Sequence, residues 1–398
     1  MACRLYQQSP QDSACTRNDS QAGGDFRVEY SWRRSRSGAK KAQRGAPVPR
    51  HYRYVNTVRS TPRMSQPPPR ILVADQPDDL SIERQALPEV EFIGLDSGPG
   101  RSPTMAAIIE MVREQPAPVL IASSGSPFDR TALETLAGLG VHGIVCASVG
   151  YNHVDLAAAA DLGITVCNVP DYGTDEVADH ALSLLLWCLR KLGLNAPAMA
   201  DPRTFWTNRT APLRRISGST LALLGFGRIG QAVARRAEGF GLRVRWYDPY
   251  IARGQEKVTR TTRAESLAEL LHEADALSIH CNLTAITRGL VNAETLALLP
   301  PRAVVVNTAR GPVVEEAALL TALREGRIEA AALDVLEVEP PGDGALFAAY
   351  LRGELPQVLI SPHVAWYSDG SGAERKRKAA VEAGRLLRGE TPHNPLRA

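Results

Sequence analysis

The amino-acid sequence predicts an α/β protein of two domains, each built on a parallel sheet wrapped by helices. Three observations lead there. With 398 residues the chain is long enough for two cores, since domains commonly run to roughly 100 to 200 residues. From Arg70 onward, short apolar runs alternate with stretches of helical period, the pattern of βα units rather than of hairpins. That alternation occurs twice, on either side of a long apolar segment at 174–192.

The first series places strands at 71–74, 119–122, 143–146 and 164–167, with helices at 104–114, 129–139 and 155–162. Segment 174–192 opens on Thr174-Asp175-Glu176 and is apolar on most faces, so it is expected to be a buried helix that links the domains and forms a dimer contact. The second series places strands at 220–224, 243–247, 276–279, 303–307, 330–333 and 358–361, and a short apolar run at Val258 suggests one more. Six or seven strands make a doubly wound sheet. A last helix at 373–387 is expected to pack back on the first domain. The domains expected are therefore 70–170 with 366–398, and 171–365 including the linking helix.

The net charge of +3 conceals two unlike regions. Residues 1–63 hold 13 Lys+Arg against 4 Asp+Glu, an excess of +9, which leaves the remainder at −6. Residues 1–69 carry no sustained apolar period, so burial cannot offset their ordering entropy and they are expected to form a disordered basic arm. It reads as a solvated tail, as a tail for nucleic acid or a membrane surface, or as translated sequence upstream of a start at Met64. No stretch reaches the roughly 20 apolar residues that span a bilayer, and the chain is expected to be cytoplasmic, with no membrane partner and no specific nucleic-acid partner. The six cysteines show no metal-ligand spacing, so reduced thiols are expected and no metal site.

Chemistry enters at Gly225-Phe-Gly-Arg-Ile-Gly230. The motif follows a strand directly and opens a helix, the context in which GxGxxG is informative. The first glycine permits the tight turn, the second lets backbone approach a pyrophosphate, and the third lets helix and strand pack, with Arg228 and Ile229 opening the helix toward the anion. Asp248, 18 residues beyond Gly230, stands where a carboxylate would accept from ribose hydroxyls, with a turn residue before Pro249 as the alternative. A 2′-phosphate about 4 Å from that charge would be repelled by roughly 4 kcal/mol at an effective dielectric of about 20, so NAD is expected over NADP. Arg253 would soften that preference if it folded back onto a phosphate.

In open α/β sheets ligands bind beyond the carboxyl ends of the strands. Three polar residues lie there: Arg310, Glu339 and His363. Singly each has an ordinary reading, as a surface arginine before Gly311-Pro312, a solvated glutamate before Pro340-Pro341, and a core or loop histidine. Together they suit one reaction, the reduction of a 2-oxo acid. Arginine offers a planar donor fork, histidine passes the proton, and a carboxylate beside the imidazole favours its protonated form.

The stretches Asn307-Thr-Ala-Arg-Gly311, Leu333-Asp-Val-Leu-Glu-Val-Glu-Pro340 and Ser361-Pro-His363, with the glycine motif, resemble the signatures of the D-isomer-specific 2-hydroxyacid dehydrogenase family. The likeness runs from about Arg70 to the end. Within the family, His363-Val-Ala-Trp-Tyr-Ser368 and 225–250 are similar to the C-terminal binding protein branch, NAD-sensing corepressors that keep the dehydrogenase fold. The resemblance implies a Rossmann NAD-binding domain inserted in a flavodoxin-like substrate domain, acting as a homodimer on a small 2-hydroxy or 2-oxo acid. It implies Arg310 as substrate binder, His363 as acid/base and Glu339 as its partner, with Thr174, Cys281, Asn282, Leu283, Thr287, Thr308, Ala309 and Asp334 along the cofactor. Trp366 would wall the substrate near C3, unless it is a plain core tryptophan.

Two departures stand out. Cys146 occupies the place of an arginine in that branch, whereas Ser148, Val149 and Gly150 resemble glyoxylate and hydroxypyruvate reductases, whose backbone amides hold the carboxylate. The connection 342–355 is longer than is common in the family. An NAD-gated scaffold with incidental turnover is the competing function. Arg375-Lys-Arg-Lys378 on the last helix reads as a solvated face.

Overall fold

The computed structural model describes residues 68–74, 79–95, 102–123, 125–195 and 212–397. The expected basic arm, Met64, Cys3 and Cys15 lie outside the described residues, apart from 68–69 of the arm. The first sheet holds β1 (Arg70–Ala74), β2 (Glu91–Gly94), β3 (Val119–Ala122), β4 (Gly143–Cys146) and β5 (Thr165–Asn168). All are parallel in the order β2-β1-β3-β4-β5, which is the flavodoxin-like order. Helices α1 (Ser81–Ala86), α2 (Met105–Glu114), α3 (Arg130–Gly138) and α4 (Leu156–Asp161) connect them. Thr104, Asp129 and Asp155 each accept an amide hydrogen of the first turn, which explains where three of these helices begin.

Strand side chains alternate between two buried layers. Leu72, Leu120 and Ile144 face α2, α3 and α4, while Ile71, Val119 and Val145 face Ala379, Ala380 and Ala383 of the last helix. Sheets covered on both faces need near-continuous apolar strands, and that is why these four-residue runs stand out in the sequence. β2 has no counterpart among the expected strands. As an edge strand pairing on one side only, it buries just Phe92 and Ile93.

The second sheet holds β6 (Thr220–Leu224), β7 (Arg243–Tyr247), β8 (Thr262–Arg263), β9 (Ala276–Ile279), β10 (Ala303–Asn307), β11 (Ile328–Leu333) and β12 (Val358–Ile360). Its order is β12-β11-β10-β9-β6-β7-β8, again all parallel. Strand order reverses between β6 and β9, the crevice where doubly wound sheets bind ligands. Around it lie α5 (Thr174–Leu189), α6 (Leu192–Asn195), α7 (Arg228–Glu238), α8 (Gln255–Thr259), α9 (Leu267–His272), α10 (Ala293–Ala297), α11 (Glu316–Arg324) and α12 (Ala345–Leu351). The linking helix α5 lays Ala178, Ala181, Leu185 and Cys188 on one face of this sheet beside α7. Phe226 stacks on the fully buried Trp246 at 4.3 Å in the same layer.

Two expectations change. Val258 belongs to helix α8 and is 78% exposed, and the added strand is the polar pair Thr262–Arg263 at the sheet edge, where no apolar run is needed. The last helix, α13 (Asp369–Leu387), starts four residues earlier than its apolar pattern because Ser368 and Ser371 form a reciprocal capping box. Cys146, Cys167 and Cys188 are buried and free, Cys281 is half-buried and free, and burial pushes the Cys146 and Cys281 thiols up to about 12. Among the described residues no helix is long and apolar enough to cross a membrane.

The long connection folds as α12 and sends Leu346 and Ala349 into the core against Leu319, Leu320 and Leu355. Leu346→Ala is therefore expected to lower the free energy of unfolding by about 2–4 kcal/mol in urea titrations. A change below about 0.5 kcal/mol would show that α12 is not part of that core.

Candidate active site

The glycine turn joins β6 to α7. Gly225 lies at φ +95, and a Cβ there would come within 2.6 Å of the Cys281 amide in the segment that follows β9. No atom lies within 4 Å of where a Gly227 Cβ would be, so the second glycine opens onto free space. A Cβ at Gly230 would collide with the Gly225 carbonyl, so the third glycine permits close packing. Gly227 caps α7 without a side-chain acceptor, which leaves the first-turn amides, Arg228 and Ile229 among them, to meet an anion. Asp248 follows β7 and accepts from Phe226 N and Tyr250 N, each at 2.9 Å. Arg253 is engaged by both oxygens of Glu265 at 3.0 and 2.8 Å rather than by Asp248. Thr308 Oγ1 and His280 Nδ1 are buried along the cleft with no protein partner. Open space at Gly227, uncapped amides and these orphaned polar atoms fit a bound dinucleotide.

The cleft beyond the strand ends has a volume of about 800 Å³. Arg310 enters it from the loop after β10, shaped by Asn307, whose side chain accepts from Ala309 N and donates to Arg310 O, both at 3.0 Å. Its guanidinium donates to Asn152 Oδ1 at 3.2 Å and to Ala309 O at 2.7 Å. A Cβ on Gly150 would be driven into that guanidinium, so Gly150 makes room for the cation. Burial pushes Arg310 below its ordinary value, opposed by the charge of Glu339; a guanidinium still keeps its proton near neutrality.

His363 follows β12 and lies at φ +54, a left-handed conformation that costs a non-glycine residue roughly 1–2 kcal/mol. Its Nδ1 is 2.8 Å from Glu339 Oε2, and Glu339 Oε1 accepts from Leu336 N at 3.0 Å. That pairing occupies Nδ1 and leaves Nε2 for other partners. Burial pushes the Glu339 carboxyl up, but the His363 hydrogen bond and charge, the Leu336 amide and Arg310 outweigh it, and the net direction is down. About a third of each side chain stays open, 35% for His363 and 36% for Glu339. Trp366 donates from Nε1 to His363 O at 3.1 Å and meets Tyr172 edge to face at 5.9 Å.

Most residues singled out in the sequence meet in this cleft. Its wall includes Ser148, Val149, Gly150, Ile229, Cys281, Asn282, Leu283, Thr308, Ala309, Arg310, Asp334, His363 and Trp366, with Glu339 touching it through His363. Thr174, Gly225, Gly227, Arg228, Gly230, Asp248 and Thr287 are not on that wall. Thr174 donates to Asp171 O at the start of α5, and Thr287 closes a turn on Asn282 O. Asn152 and Tyr172, six residues past the end of β4 and four past that of β5, also line the cleft, and the sequence reading does not single them out. Arg375 and Lys376 correct it: the basic run of α13 is not wholly a solvated face, for both line the cleft. The Arg375 guanidinium sits 5.0 Å over the Trp366 ring and donates to Ala147 O, one residue from Cys146.

Fold and site together define a parallel α/β protein with an NAD-binding sheet. Residues 182–365 match the family described as D-isomer specific 2-hydroxyacid dehydrogenase, NAD binding domain. The chain is 34% identical over 330 residues to a D-3-phosphoglycerate dehydrogenase of Methanocaldococcus jannaschii, covering 82% of this chain and 59% of that protein. Among solved structures it is similar to the TT0316 protein of Thermus thermophilus, at 32% identity and TM-score 0.70 over 82% of this chain and 99% of that one. It is also similar to the D-lactate dehydrogenase of Aquifex aeolicus complexed with NAD and lactic acid, at 25% identity and TM-score 0.71 over 81% and 96%. The chain belongs to the D-isomer specific 2-hydroxyacid dehydrogenase family. It spans a little over half the length of the curated relatives it matches.

With Asp248 unopposed by Arg253, NADH is expected to bind at least about tenfold more tightly than NADPH in fluorescence titrations. Equal or tighter NADPH binding would remove Asp248 as the determinant.

Proposed function

We propose that the chain is an NAD-dependent D-2-hydroxyacid dehydrogenase acting on a small 2-hydroxy or 2-oxo acid. The observation that carries this reading is the His363–Glu339 pair, 2.8 Å apart, with His363 on the same cleft as Arg310 and as Ile229 of the glycine motif. When bound, NAD(H) supplies or accepts the hydride at C2 of the acid. The residues assigned to hold it are Thr174, Gly225, Gly227, Arg228, Ile229, Gly230, Asp248, Cys281, Asn282, Leu283, Thr287, Thr308, Ala309 and Asp334.

The remaining work falls to side chains of the substrate cleft. Arg310 clamps the carboxylate and the carbonyl oxygen, helped by the amides of Val149 and Gly150. Ser148 Oγ donates to Gly150 O at 2.6 Å and keeps that loop turned. Trp366 walls the side of C3. In reduction, protonated His363 donates from Nε2 to the carbonyl oxygen, and in oxidation the neutral ring takes that proton back. Glu339, held low and therefore ionised at neutral pH, orients the ring and favours its cationic form. Residues 70–170 with 366–398 form the substrate side and 171–365 the cofactor side, and closure of the cleft excludes water. We assign the protein to the cytoplasm as a homodimer.

The likeness to the C-terminal binding protein branch rests on 363–368 and 225–250, and with the basic arm it leaves an NAD-gated scaffold as the second reading. Assembly of an acid/base pair beside an arginine favours the enzyme. NADH oxidation measured against a panel of 2-oxo acids separates the two. His363→Gln is expected to keep NADH affinity while turnover falls by roughly 10²- to 10⁴-fold, and near-normal turnover would remove His363 from the chemistry. Reduction requires the imidazolium, so its rate falls on the alkaline side. Glu339→Gln removes the anion that favours this form and is expected to move that limb to lower pH; a stationary limb would end its partner role.

A further inference from the structure

The left-handed backbone of His363 demands a hold from outside its own segment, and the contacts of 361–368 show where it comes from. Asp334 is 1% exposed and turns both carboxylate oxygens and its carbonyl onto this segment. Its Oδ1 accepts from Ser361 Oγ at 2.6 Å and Val364 N at 3.0 Å, its Oδ2 from Ala365 N at 2.9 Å, and its carbonyl from His363 N at 2.8 Å. Ser361 in turn lies 3.0 Å from Nε2 of His180, which is 3.6 Å from Asp334 Oδ1. A hydroxyl has one proton to give. Ser361 gives it to the carboxylate, so the donor to Ser361 is His180, and its ring is protonated on Nε2.

One helical turn earlier on α5, Glu176 accepts from Ser368 Oγ at 2.7 Å. Ser368 is the capping residue of α13. Glu176 and His180, four residues apart on one helix face, thus grip the two ends of the segment that carries His363 and Trp366. Gly173, just before α5, lets the segment come close, since a Cβ there would lie 3.2 Å from Trp366 O.

We propose that His180 is a positioning residue for His363: by donating to Ser361 it locks the hydroxyl onto Asp334 and so fixes the two amides that follow the histidine, while Glu176 secures the far end. The kinetic part rests on the dehydrogenase reading; the conformational part does not. Because α5 also packs against the cofactor sheet, the acid/base group is tied to the element that covers that sheet.

The test compares full-length wild type with His180→Leu, which removes the donor, His180→Gln, which returns an amide donor at similar reach, and Ser361→Ala. Hydrogen–deuterium exchange across 361–368 and NADH oxidation with 2-oxo acids are read together. Expected for His180→Leu are faster exchange of Val364 and Ala365 and a kcat lower by roughly ten- to a hundredfold, with NADH affinity and KM within about threefold. His180→Gln recovers protection and most of kcat, and the double variant His180→Leu/Ser361→Ala is no worse than either single one. Unchanged exchange in both His180→Leu and Ser361→Ala, or a glutamine variant as impaired as the leucine one, overturns the proposal. A wild-type chain that oxidises NADH with no 2-oxo acid defeats the dehydrogenase reading instead, and the exchange data still decide whether the clamp exists.

Discussion

Three neighbouring parallel strands end level, and the active-site geometry follows from that register. Asn307 of β10 pairs with Leu333 of β11, and Leu333 pairs with Ile360 of β12. Parallel strands discharge their chains at the same edge, so the loops that follow start side by side. Arg310, Glu339 and His363 lie three, six and three residues beyond those level ends. Residues separated by more than fifty positions in the chain are thereby brought to one cleft without a long loop, and their precision is inherited from backbone hydrogen bonding. The longer reach of Glu339 places its carboxylate behind the imidazole rather than beside the guanidinium.

That arrangement is rigid where chemistry needs it and open where ligands enter. Asp334 sits at the root of the β11 loop and binds the β12 loop, while Asn307 shapes the β10 loop. Each loop is thus tied by a carboxylate or amide side chain at a strand end. Buried polar groups of this kind are tolerable only when fully satisfied, and Asp334 meets that condition. Thr308 and His280, which do not, line the cleft.

Much of this is legible in the residues alone, for identifiable reasons. Strands buried on both faces, such as Val304-Val305-Val306, advertise themselves as apolar runs, and catalytic candidates are found by looking just past them. β2 and β8 give a weaker signal, since β2 buries only Phe92 and Ile93 of its four residues and β8 is the polar pair Thr262–Arg263. α12 is obscured because Gly342 and Gly344 precede only seven residues of helix. Arg375 is misjudged for a different reason: helical spacing shows that four cations share a helix, not which of them an aromatic ring on another segment will attract. The clamp of His180 on Ser361 joins positions 181 residues apart, a proximity that no local pattern encodes.

Asp248 carries a consequence for anyone seeking to exchange the cofactor. Its two oxygens support the amides of Phe226, inside the glycine turn, and of Tyr250, so the residue proposed to read the adenosine ribose is also a bracket for that turn. Substituting a small neutral residue to admit a phosphorylated ribose would unfasten the turn at the same stroke. On the proposed role, selectivity and scaffold are fused at this position, and relaxing one without a replacement acceptor for the Phe226 amide weakens the other.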